Sequence, residues 1–134
     1  MPDDRRIPGS AKEWLSRAKG DLALASAPLP EGAFFEDLCY HAQQAAEKAL
    51  KAVYQCHGWV FRYTHDLDEL ITGLREKGLT VSPEVNDAVI LTSFAAEARY
   101  PRLSEPVTLE EYQEALGHAK AVVSWAEREL WKGL

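Results

Sequence analysis

His41-Ala42-Gln43-Gln44-Ala45-Ala46-Glu47-Lys48-Ala49-Leu50-Lys51-Ala52 is the stretch from which the rest of the chain can be read. It forms the middle of a run, from about Ala33 to His57, without proline and with glycine only beyond its end. Stepping 100° per residue from His41 puts Leu38, Ala42, Ala45, Ala49, Ala52, Val53 and Cys56 on one side. Gln43, Gln44, Glu47, Lys48, Lys51 and Gln55 fall on the other, with His41 at the seam. The apolar side is rich in alanine, so a neighbouring helix can come close. The polar side is biased towards Gln and Lys, whereas a solvated face usually mixes Glu and Lys freely.

Start and stop signals divide the remainder. Ser10 with Glu13 reads as a capping box opening a first helix, whose stripe is Trp14, Leu15, Ala18, Leu22 and Ala25. Pro28 and Pro30 stop it. Gly58 ends the second helix, and Trp59 to Tyr63 is a short aromatic connector. Thr64-His65-Asp66-Leu67 opens a third helix with Leu67, Leu70, Ile71 and Leu74 inward, closed by Gly78. Ser82-Pro83-Glu84 starts a fourth, running towards Ala98, because proline suits the first helical position. Arg99-Tyr100-Pro101 breaks it, since the residue before proline resists helical geometry. Thr108 with Glu111 caps a last helix of about 22 residues. No period-two alternation, repeat or low-complexity run interrupts this pattern. The expectation is an all-α fold, an antiparallel up-and-down bundle of four to five helices. Residues 1–9 form a flexible leader and residues 10–134 a single domain.

A chain of 134 residues with formal charge −6 and 46% hydrophobic content has enough core to fold unaided. The acidic balance opposes bulk attraction to nucleic acid or anionic lipid, though not a local basic groove. No apolar run reaches the roughly 18 residues of a membrane span, and the first residues lack the apolar core of a signal peptide. A cytoplasmic protein is expected. Cys39 and Cys56 are 17 positions apart on one helix, about 25 Å against a disulfide reach of about 7 Å. They read as free thiols. No zinc or other metal signature is present.

Chemistry is sparse: no phosphate loop, no GxSxG, no HExxH and no carboxylate cluster. Three features remain. Gln44, Lys48 and Lys51, with His41 at their edge, read either as a solvated face or as a groove for an anion, because Gln and Lys supply donors. Thr64-His65-Asp66 reads as a helix cap, or as a histidine at a cleft. Arg99-Tyr100-Pro101-Arg102 reads as a helix end, or as a loop that grips phosphate with a planar fork.

In this order, these features resemble the HEPN domain family (higher eukaryotes and prokaryotes nucleotide-binding). The resemblance runs from Ala18 and Asp21-Leu22-Ala23, through Tyr40 to Ala52, to Thr64-His65-Asp66-Leu67, Arg99-Tyr100-Pro101 and the Ala119 helix. It implies a helical bundle, usually a homodimer, often encoded beside a minimal nucleotidyltransferase, as in toxin–antitoxin pairs. Members are described as nucleotide binders, toxin halves and metal-independent ribonucleases. The ribonuclease branch is marked by Arg followed, after four to six residues, by His; no arginine here has His at that spacing. Ser104, Glu105 and Pro106 stand there after Arg99, and Val107, Thr108 and Leu109 after Arg102. The expectation is therefore a non-catalytic protein without a cofactor, binding a nucleotide or RNA phosphate. Gln44, Lys48 and Lys51 would form one wall, Arg99 and Tyr100 the other, and His41 and His65 the edges. The alternatives are a pure interaction module docking on a nucleotidyltransferase, and a ribonuclease with a rearranged site.

Overall fold

Helix α2, Phe35–Cys56, runs through the centre of the bundle and is buried on nearly every side. In the computed structural model, which describes residues 9–95 and 106–132, α1 (Ala11–Ala25) lies along one flank of it and α5 (Leu109–Lys132) along another. Between them come α3 (Leu67–Glu76), α4 (Pro83–Asp87) and a 3-10 helix, Ala88–Phe94. No strand occurs among the described residues.

Directions follow from side-chain pairs. Trp14 of α1 sits over Lys51 of α2, and Asp21 reaches His41 and Lys48, so α1 and α2 are antiparallel. Phe35 stacks on Tyr112 with ring centres 5.0 Å apart, so α2 and α5 begin at the same end. The chain between Cys56 and Leu109 therefore carries the path back, as an up-and-down order requires. Tyr112 Oη donates to the Ala25 carbonyl at 2.5 Å, tying the start of α5 to the last turn of α1.

The alanines expected to face inward do so: Ala42, Ala45, Ala49 and Ala52 have no exposed surface. Small side chains let the α1 and α2 backbones approach closely, which favours dispersion contact. Leu50, Leu67, Leu70, Ile71, Leu74 and Leu91 supply the bulk of the core, each worth roughly 1.5–3 kcal/mol in transfer free energy.

The sequence signals mark most boundaries. Ser10 Oγ accepts from Glu13 N at 3.1 Å, while the Glu13 carboxylate turns to Arg17. At α5 the capping box is reciprocal: Thr108 Oγ1 takes Glu111 N, and Glu111 Oε1 takes Thr108 N. Asp66 caps α3 by accepting from Asp68 N. Gly58 (φ 71°) and Gly78 (φ 92°) hold left-handed backbone just past α2 and α3, where a Cβ is disfavoured.

The fourth helix departs from expectation. It does not continue as one α-helix towards Ala98; it tightens after Asp87 into the 3-10 segment. β-branched Val89, Ile90 and Thr92 suit an α-helix poorly. The tighter path also brings Thr92 Oγ1 to the Leu67 N–H, 3.1 Å away. That contact satisfies an orphan donor in the first turn of α3. Ala96 to Ala98 lie outside the described residues.

Candidate functional site

The polar side of α2 is covered rather than solvated. Gln43, Gln44, Glu47 and Lys51 are all buried, because α1 packs over one half of this side and the aromatic connector over the other. Buried polar groups must find partners, and two separate networks supply them.

The first network centres on Glu47. Its Oε2 accepts from Lys51 Nζ at 2.9 Å; its Oε1 accepts from Gln43 Nε2 at 3.1 Å and faces His65 Nδ1 at 2.8 Å. Gln43 Nε2 also reaches the His65 carbonyl, and Gln44 Nε2 donates to Gln43 Oε1 at 2.7 Å. The Lys51 ammonium lies 5.4–5.5 Å from the ring centres of Trp14, Phe61 and Tyr63. It thus lies against three aromatic rings of its own chain, where cation–π attraction adds to the ion pair.

The second network centres on Asp21. Its Oδ1 lies 3.0 Å from His41 Nδ1, and its Oδ2 accepts from Lys48 Nζ at 2.6 Å. Asp21 interrupts the apolar stripe of α1 between Ala18 and Ala25, and all three are buried. Lys48 and His41 keep partial contact with solvent. The shallow depression beside them brings Arg17 and Lys48 together with Glu13 and Asp21, so its charges balance.

Of the seven residues singled out from sequence, five are thus placed. His41 and Lys48 share Asp21; Lys51 and His65 share Glu47; Gln44 joins the Glu47 network through Gln43. Gln44 and Lys51 are interior groups, not donors along an open groove. Arg99 and Tyr100, expected as the facing wall, lie outside the described residues. The sequence reading gave no role to Asp21 or to Glu47 as anchors. A lone aspartate between Ala18 and Ala25 was the available signal for the first. Among the described residues, no group of His, Cys, Asp and Glu could hold a metal ion, and no helix is long and apolar enough to cross a membrane.

Tyr54, on α2, extends the buried polar set towards α3. Its Oη donates to the Leu70 carbonyl at 2.6 Å and fills the space beside Gly73, where any Cβ would collide with it. Burial, then the nearby Glu69 and Glu76, pushes its phenol pKa up. Cys39 is pushed up to about 12, chiefly by burial and further by Glu36 and Glu111. Cys56 is raised by burial and by Glu129.

The sequence matches the family model described as HEPN domain over residues 11–130. The chain belongs to the HEPN family. Two solved structures share this HEPN fold. TT1696 from Thermus thermophilus is 29% identical with a TM-score of 0.78, over 95% of this chain and 99% of that one. ST0689, an archaeal HEPN homologue, is 24% identical with a TM-score of 0.70, over 90% and 98%. No curated protein matches the chain.

Proposed function

We propose that this HEPN protein acts by docking on another protein, and that its partner is a minimal nucleotidyltransferase, as the family resemblance implies. The observation that carries the reading is the state of the two lysines. Lys51 is neutralised by Glu47 in the interior and Lys48 by Asp21 at its edge. The face that would have gripped a phosphate therefore has no surplus positive charge from either. Meanwhile large apolar side chains stand in solvent: Val60 at 88%, Tyr63 at 92% and Trp131 at 68% exposure. Such groups suit a protein interface more than a polyanion. They also support homodimerisation, which a mass by light scattering at micromolar concentration tests directly.

Purification of the tagged chain, expressed from its native locus, tests the docking reading. A nucleotidyltransferase that stays bound through size exclusion, with Lys48→Ala as well as with the wild type, is the expected result. Recovery of the chain alone overturns it.

A second reading, contact with a nucleotide or RNA phosphate, draws on the two histidines. Each is held at Nδ1 by a carboxylate, which orients the ring and leaves Nε2 for another group. Calorimetry with ATP, GTP and short RNA tests it; absence of heat at millimolar ligand retires it. Under either reading the pair could serve as a toxin–antitoxin couple. RNA that stays intact with the protein in EDTA removes the ribonuclease alternative.

A further inference from the structure

A groove between the aromatic connector and α3 has Tyr54 in its lining. It is an open depression of about 640 Å³. Val60, Phe61, Leu70 and Gly73 line it, together with Asp66, Asp68, Glu69 and Glu76 and the cations Arg62 and Lys77. These charges do not cancel. Arg62 is spent on Glu69, 3.0 Å away, and Lys77 lies over the Trp59 ring. Asp66, Asp68 and Glu76 pair with no cation among the described residues.

Helix electrostatics explain part of this. Asp66 caps α3 and Asp68 sits in its first turn, where negative charge is favoured. Glu76 does not fit that account. It is in the last turn of α3, where the helix dipole disfavours a carboxylate. It lines the groove with Glu69 and Tyr54, whose phenol pKa is raised first by burial and then by these two carboxylates. Beside these carboxylates Val60 is left almost wholly in water.

We infer that this groove is where the partner docks, and that it receives a basic segment whose arginines or lysines are flanked by apolar residues. The inference rests on the docking reading above and adds to it the surface and the chemistry of what fits there. Arginine or lysine heads would meet Asp68 and Glu76, and the flanking apolar groups would cover Val60. A small cation alone would leave Val60 wet. An acidic or purely apolar segment would leave the carboxylates unmatched.

The test is fluorescence anisotropy with the full chain. One labelled peptide alternates Arg with Leu; its counterpart has Glu in place of each Arg. The Arg–Leu peptide should bind, with an affinity that falls steeply as salt rises past the screening range, and the Glu–Leu peptide should not. Asp68→Asn with Glu76→Gln, both exposed positions, should weaken binding about tenfold, and Val60→Ser about threefold, with thermal melts unchanged. No binding of the Arg–Leu peptide, or equal binding by the double variant, overturns the inference. So does loss of a dimer mass in the double variant, which would seat a second copy in the groove. If the nucleotidyltransferase still co-purifies with the double variant, docking stands and this groove is not its site. If the wild type captures no partner, the docking reading itself fails.

Discussion

Lys51→Met tests whether the buried ion pair holds α1, α2 and the connector together. The Lys51 and Glu47 side chains are each 4% exposed, and their charged atoms lie 2.9 Å apart. Removing the ammonium leaves Glu47 a buried carboxylate with only Gln43 and His65 as partners. Such an orphaned charge costs about 3–5 kcal/mol. A methionine thioether among Trp14, Phe61 and Tyr63 returns about 0.3–1.5 kcal/mol. The expected loss is about 3 kcal/mol, a large share of the roughly 5–15 kcal/mol that holds a domain folded. For 134 residues the unfolding entropy is about 0.28 kcal/mol/K, so Tm should fall by about 10 °C. Adding Glu47→Leu removes the stranded carboxylate, while Gln43 keeps the His65 carbonyl. The double variant should return to within about 1 kcal/mol of the wild type. Urea melts of all four proteins give the coupling energy. A single-variant loss below about 1 kcal/mol, or additive losses in the double, would refute the argument.

Gly73→Ala should destabilise by about 1–3 kcal/mol, because its methyl displaces the Tyr54 hydroxyl from the Leu70 carbonyl. Adding Tyr54→Phe should recover much of the loss, since the ring carbon alone stands 3.4 Å from the new Cβ; thermal melts of both variants decide. Asp21→Asn should lose about 1–2 kcal/mol in urea, less than a sealed pair would, because His41 and Lys48 keep some water. Cys39, held up to about 12 in the fold against an ordinary 9.0, keeps its proton when the unfolded chain has lost its own. Its contribution is full below pH 9 and drains away as pH rises towards 12. Stability should therefore fall with rising pH in that window, with a shallower slope in Cys39→Ala, and a thiol reagent at about pH 8 should spare Cys39 in the native state.

Local chemistry carried most of the fold into the sequence. The Ser10 cap, the Thr108–Glu111 capping box, Pro83 at a helix start, and Gly58 and Gly78 at helix ends act within one or two turns, so nearby residues suffice to place them. The polar side of α2 was less legible. Its burial depends on Asp21, 20 and 27 positions from His41 and Lys48, and on His65, 18 positions from Glu47. Periodicity gives the side of a helix on which a residue falls, but not what comes to cover it. The break after Asp87 was hidden for the same reason, since Thr92 serves an N–H on another helix.

The alanine seam between α1 and α2 has a consequence for alignment. Alanines present a nearly smooth rail, on which one helix could slide past the other by a full turn with little change in apolar contact. Asp21 acts as a dowel in that rail: a one-turn slip would carry it about 5.4 Å from His41 and Lys48 and strand its charge. In this interface the apolar groups supply adhesion, and a single carboxylate sets the registration mark.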